Sequence, residues 1–284
     1  MSGDNAETGL PASFELVWGV RDRPAKGPKR GLSLEQIVEA AIDVADAEGI
    51  GGVSMSRVAK ELGASAMSLY RYVGSKDELL ALMIDGAFGR LDIAEPAEGT
   101  WRERLERWAE IELTGYRRFP WVLRIPIAGA PIMPNQLRFL EWGLRTLGGT
   151  GLAEEDKLSS VLLVTSFTRS FAMLSSDLAA ASESADPTAR AMPKYGELIK
   201  KLTTRAEFPA LHAVVDAGTF DDDGEFDGLD HDFRFGLERV LDGIGKLVDR
   251  VSRRAGIGDL TRNRAGISRD QRGISRDQRG ISRD

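Results

Sequence analysis

The sequence predicts an all-α protein, with an N-terminal three-helix helix-turn-helix domain followed by a larger helical body. Three observations carry this. Apolar residues recur at helical spacing through most of the 284 residues, no segment alternates as a strand does, and Ser33, Ser54, Ser65 and Ser75 each stand at the head of a periodic segment where a cap belongs.

The elements follow in chain order. Residues 1–31 contain Pro24, Gly27, Pro28 and Gly31 and read as a flexible extension ending in a basic arm of Arg21, Arg23, Lys26, Lys29 and Arg30. Ser33 caps a helix of roughly 34–48, with Ile37, Val38, Ala41, Ile42, Val44 and Ala45 on its apolar face and Gly49 at its end. Ser54 caps a short helix with Val58, Ala59 and Leu62, stopped by Gly63, and Ser65 caps another with Met67, Leu69, Tyr70 and Val73. Two short helices joined by a tight glycine-containing turn form a helix-turn-helix unit, which closes a domain over 32–78. Ser75-Lys76-Asp77-Glu78 reads as a capping box that opens a helix through Leu79, Leu82, Met83, Ala87 and Leu91.

The body spans 79–255. Trp101, Leu105, Trp108, Ile111 and Tyr116 mark one amphipathic helix ended by Phe119 and Pro120. Further helices are expected around 136–147, 154–181 and 231–254, with a short amphipathic piece near 195–202 among loops and a solvated acidic run from Asp221 to Asp227. The segment Gly266 to Arg272 repeats from Gly273 and again, truncated, from Gly280. It offers one apolar residue per seven where a coiled-coil seam needs two, so 256–284 reads as a disordered tail.

Composition removes several function classes. The chain has no cysteine, and its two histidines, His212 and His231, are too far apart in sequence for a helical zinc pair. No dinucleotide or phosphate-loop glycine pattern is complete, so no catalytic residue, metal or cofactor is expected. No uncharged apolar run reaches membrane-spanning length, and acids occupy the first twenty residues where a signal peptide needs positive charge. No membrane partner is expected, and the location reads as cytoplasmic. Residues 21–76 carry nine basic against seven acidic residues, whereas 77–255 carry 22 against 30. A basic front on an acidic body suggests a polyanion-binding part and a solubilising remainder.

The block Val53 to Leu62, then Ser68-Leu69-Tyr70-Arg71-Tyr72-Val73 with Lys76-Asp77-Glu78-Leu79-Leu80, resembles the TetR family of bacterial transcriptional regulators. It is similar to that family's Leu-Tyr-x-(His/Tyr)-(Val/Phe)-x-x-Lys signature. Trp101, Gln136-Leu137-Arg138-Phe139 and Phe235 to Gly243 are similar to the effector domain of the tetracycline-repressor subgroup. With histidines only at 212 and 231, the sequence departs from a histidine-supported magnesium-tetracycline site.

The resemblance implies a homodimer on an inverted-repeat, double-stranded DNA operator, released by a small-molecule effector. A recognition helix enters the major groove by its N-terminal residues, which puts Ser65, Ala66, Met67 and Ser68 at base edges. Ser54, Ser56, Arg57, Tyr70, Arg71, Tyr72 and Lys76 are the expected backbone contacts, with core packing the alternative for Tyr72 and a solvated role for Arg57. For the effector, the aromatics Trp108, Tyr116, Trp121, Phe139, Trp142, Phe167 and Phe171 with Arg169 suggest an apolar cavity. Its ligand would be largely hydrophobic, with an acidic or carbonyl group for Arg169; the alternative is plain core. The competing class is a helical scaffold without specific DNA binding.

Overall fold

The computed structural model describes residues 8–20, 32–91, 98–183, 195–220 and 228–273. Among these the chain forms α1 (Ala12–Val17), α2 (Leu34–Glu48), α3 (Met55–Glu61), α4 (Ala66–Leu69), α5 (Lys76–Phe88), α6 (Trp101–Arg118), α7 (Pro134–Thr146), α8 (Glu154–Glu183), α9 (Tyr195–Leu202), α10 (Pro209–Asp216) and α11 (Gly228–Gly273). Short 3₁₀ turns lie at Ile50–Gly52 and Pro120–Arg124, and no strand occurs among the described residues.

The caps act as their chemistry requires. Ser33, Ser54, Ser65 and Ser75 each accept a hydrogen bond from the backbone N–H three residues on. Ser33 with Gln36, and Thr100 with Glu103, close full capping boxes at α2 and α6. Gly49 ends α2 with φ at 71°, a conformation that favours glycine.

In the front domain, α2, α3 and α4 enclose Ile37, Ala41, Val44, Val53, Val58, Leu69 and Val73. Helix α5 packs across α2, and the two approach closely at Gly86, where an added Cβ would lie 3.1 Å from Ile42 Cδ1. The same helix packs on α7 of the body, so α5 touches both units. In the body, α6 is sandwiched by α7 and α8, and α11 lies along α8 through Phe233, Leu237, Leu241 and Ile244.

Four expectations change. The extension is not uniformly flexible: α1 docks with Ser13 and Phe14 buried, and Trp18 Nε1 donates to the Ile132 carbonyl at 3.0 Å. At α5, Glu78 does not close a box with Ser75. Its Oε2 accepts instead from Gly74 N–H (3.0 Å) and Ser13 Oγ (2.7 Å), because the docked helix supplies a better placed donor. Helix α10 replaces the expected loop, with Pro209 in its first turn where a missing N–H matters least. Helix α11 runs to Gly273, into the segment expected to be disordered. Its arginines, Ala265 and Gln271 are good helix formers, and each glycine costs only about 1 kcal/mol. Residues 274–284, and the basic arm Arg21, Arg23, Lys26, Lys29 and Arg30, lie outside the described residues.

Candidate DNA interface and effector cavity

The end of the front domain presents a contiguous set of polar and apolar tips. Ser54, Ser56, Ser65, Arg71 and Lys76 are exposed, Ser68 and Ala66 half-buried. Met67, in the middle of α4, is 75% exposed, and Tyr70 just after it is 47% exposed. A large thioether held in water by a capped helix gains nothing for the fold. Its position suits an apolar contact such as a thymine methyl. Ser65 Oγ accepts from Ser68 N–H and lies 2.8 Å from Ser68 Oγ, so both hydroxyls are fixed over the first turn of α4. Tyr72 is half-buried and packs against the core, a position between its two expected roles.

Lys76 sits in the first turn of α5, at the positive end of that helix. Asp77 shares the turn and offsets part of the field, while Glu78 is turned towards Ser13 and Gly74. The ammonium of Lys76 is the exposed positive charge of that turn. Arg57 is placed differently from the expectation. Its guanidinium bonds Glu48 at 2.7 Å and Glu61 at 2.7 Å, a strut between α2 and α3 that raises its pKa and occupies the donors a phosphate would need.

The eight residues expected to form one effector site fall into separate groups. Trp108 stacks on Phe139 with centroids 4.8 Å apart, Phe139 meets Trp142 edge-on, and Trp108 Nε1 donates to the Phe139 carbonyl. These three are the packed junction of α6 and α7. Phe167 stacks on Phe233 of α11 with centroids 5.6 Å apart, and Phe171 is tilted against the same ring at 5.3 Å. Trp121 Nε1 donates to Asp46 Oδ1 at 2.7 Å, tying the turn after α6 to α2 beside an interdomain groove of about 470 Å³. Arg118 joins the same carboxylate at 3.2 Å.

Tyr116 and Arg169 belong to a fourth group, around Glu112, which was not among the expected site residues. Glu112 is buried on α6, and its Oε1 accepts from the Tyr116 hydroxyl at 3.1 Å. Burial pushes its carboxyl up to about 7, against the opposing effects of Tyr116, Thr165 and Arg169. Tyr116 is raised far above the usual phenol range, first by burial and then by the Glu112 charge. Arg169 is already engaged: its Nη2 lies 3.2 to 3.4 Å from the carbonyls of Val122, Leu123 and Ile125, and its guanidinium stands 5.7 Å from the Tyr116 ring centroid. Through Nη2 it holds the turn after α6. Beside Glu112 and Tyr116 is a small cavity of about 20 Å³, walled by Ala87 and Phe88 of α5, Leu91, Gly115, Phe119 and Val122. One signal for Glu112 was present in the sequence. It falls on the stripe Leu105, Trp108, Ala109, Glu112, Tyr116, where helical spacing calls for an apolar residue.

Comparison with known proteins gives a consistent result. Residues 37–83 match the family described as bacterial regulatory proteins, tetR family, and residues 94–248 match the tetracyclin repressor-like C-terminal domain. The chain is 36% identical over 254 residues to the HTH-type transcriptional repressor DrrR1 of Streptomyces coeruleorubidus, covering 87% of this chain and 88% of that one. It is 28% identical over 244 residues to the HTH-type transcriptional repressor Rv1353c of Mycobacterium tuberculosis, covering 84% and 88%. Among solved structures, Streptomyces coelicolor ActR in complex with actinorhodin superposes with a TM-score of 0.64 at 27% identity, covering 76% of this chain and 96% of that one.

Proposed function

The chain belongs to the TetR family of bacterial regulatory proteins, and from that premise we propose that it is a sequence-specific transcriptional repressor released from its operator by a small, largely hydrophobic ligand. The carrying observation is α5. One continuous helix has Lys76 at the DNA-facing end and Ala87 and Phe88 in the wall of the Glu112 cavity. A ligand that widens the cavity must displace α5, and with it the surface from Met67 to Lys76. Release then follows from the ligand's preference for one conformation. The repressor DrrR1 and the actinorhodin-bound ActR support both halves of this reading.

The DNA contacts we assign are Met67, Ser65, Ser68 and Ala66 at base edges, with Ser54, Ser56, Tyr70, Arg71, Tyr72 and Lys76 on the phosphate backbone. The basic residues Arg21, Arg23, Lys26, Lys29 and Arg30 precede α2 in the sequence, and we assign them to the adjacent minor groove. Assembly as a homodimer is supported by α8. Among the described residues it is the helix long and apolar enough to cross a membrane, yet Val161, Val164, Thr168 and Ala172 pack it into the body. Its other face exposes Leu158, Leu162, Leu163, Leu174 and Leu178, and Phe235 of α11 is 57% exposed. A second copy covering this face gives an isologous interface and two recognition helices for an inverted repeat.

The experiment is operator release. A labelled fragment from upstream of the protein's own gene should bind in preference to random DNA and dissociate when a ligand stabilises the protein, and sedimentation should show a dimer at micromolar concentration. Binding without sequence preference would leave only a helical scaffold.

A further inference from the structure

One buried carboxylate oxygen of Glu112 has no donor at full hydrogen-bond distance, although the Thr165 hydroxyl faces the carboxyl. Oε1 takes the Tyr116 hydroxyl, whereas Oε2 has no hydrogen-bond partner. Such an oxygen, shut away from bulk water, is costly unless something satisfies it. Glu112 lines the cavity, and Ala87, Phe88 and Leu91 on one side and Phe119 and Val122 on another offer only hydrocarbon. Among the described residues, the polar and charged groups facing Glu112 come from α6 and α8. They are Tyr116, Thr165 and Arg169, and the Nη2 of Arg169 is directed to three backbone carbonyls. The pocket therefore holds an acceptor in search of a donor, inside apolar walls.

We propose that the ligand of this cavity presents a hydrogen-bond donor, a protonated amine or a hydroxyl on a hydrophobic skeleton, to Glu112 Oε2, and that Glu112 selects such ligands against carboxylates. This rests on the reading of the cavity as the effector site and reverses the chemistry expected when Arg169 was taken as the recognition group. At about 20 Å³ the cavity matches a single water, so a ligand of two fused rings enters only as the α5 wall moves away. Capture of a donor by Glu112 is thus linked to displacement of the helix that carries Lys76. Donors are bound by the ionised carboxylate, so affinity for an amine rises with pH across the range in which Glu112 loses its proton. An acceptor ligand, which needs the protonated acid, shows the opposite slope.

The test uses the full-length protein and three probes on one skeleton: 1-naphthylmethylamine, 1-naphthalenemethanol and 1-naphthoate. Calorimetry at pH 6 and pH 8 should rank the amine at least about tenfold above the carboxylate at pH 8. The amine should gain up to about tenfold between the two pH values, since the ionised fraction of a group titrating near 7 changes by that factor. Glu112→Gln should abolish both the preference and the pH dependence while naphthoate binding holds or improves. Equal affinity for amine and carboxylate, an unchanged amine affinity in Glu112→Gln, or no amine binding at millimolar concentration overturns the proposal. Leu91→Trp, which fills the cavity, separates this from the effector reading. A compound that releases DNA from the wild type but not from Leu91→Trp, while ignoring Glu112→Gln, defeats the donor inference alone. Amine binding that responds to Glu112→Gln but leaves the DNA complex intact defeats the effector reading alone.

Discussion

Asp85, in the last turn of α5, caps the first turn of α7 from outside: its Oδ1 accepts from the backbone N–H of Asn135 at 2.8 Å and of Gln136 at 3.0 Å, and its Oδ2 from Asn135 Nδ2 at 2.9 Å. Met133, at the cap position of α7, supplies no side-chain bond. The helix that begins at Lys76 is in this way clamped to the effector body at one buried carboxylate. Burial raises the pKa of Asp85 although three bonds and Arg138 oppose it, so the clamp fixes position more than it adds stability. Asp85→Ala should nonetheless destabilise the protein by about 1–3 kcal/mol, because the α7 N–H groups are left unpaired. Asp85→Asn should cost less in urea unfolding, and Asp85→Ala should also weaken DNA binding by the ligand-free protein.

Glu112 gives a pH signature. Its pKa is raised from the ordinary 4.5 to about 7, so between those values the folded state holds the proton more tightly than the unfolded chain. Stability from this group is present at low pH and lost as pH rises through 7. Glu112→Gln, neutral and nearly isosteric, should match the wild type near pH 4.5 and be the more stable by up to about 3 kcal/mol at pH 8. Denaturant curves at both pH values decide it, and a constant difference would contradict a buried ionising carboxyl.

For the DNA face, Lys76→Ala should lower the salt slope of binding by roughly one counterion and weaken all sequences alike, while Tyr70→Phe removes one hydrogen bond. Arg57→Ala should leave the salt slope unchanged, since its guanidinium is held by Glu48 and Glu61. A slope that falls for Arg57→Ala and not for Lys76→Ala would reverse the assignment.

The N-terminal segment separates into two parts with different readouts. Deleting residues 1–20 removes the Ser13 bond to Glu78 and the Trp18 bond to Ile132, and should lower the melting temperature with the salt slope intact. Replacing Arg21, Arg23, Lys26, Lys29 and Arg30 by alanine should do the opposite, lowering the slope by about one counterion per arm residue engaged.

What the sequence disclosed was local. The caps at Ser33, Ser54, Ser65 and Ser75 need partners only three residues away, so the helix starts could be read directly. What it withheld depends on distant residues. Helix α1 is six residues long and persists because Glu78 and Ile132 receive it, contacts 65 and 114 positions away. Glu112 shows in the sequence as a charge on the apolar stripe of α6, but its enclosure by Thr165 and Arg169 of α8 is tertiary. The aromatics of the body were correctly seen as a concentration, but Trp108, Phe139 and Trp142 pack on one another, and that pairing is tertiary.

The central claim is sequence-specific binding through the surface from Ser54 to Lys76, and nuclease footprinting on genomic fragments selected by the protein tests it most directly. The account predicts a protected inverted repeat whose half-site centres lie roughly 34 Å apart, or a multiple of that, along one face of the duplex. Protection should be lost with Lys76→Ala at moderate salt. Uniform, sequence-independent protection, or an unchanged footprint with Met67→Asp and Lys76→Ala together, would contradict it.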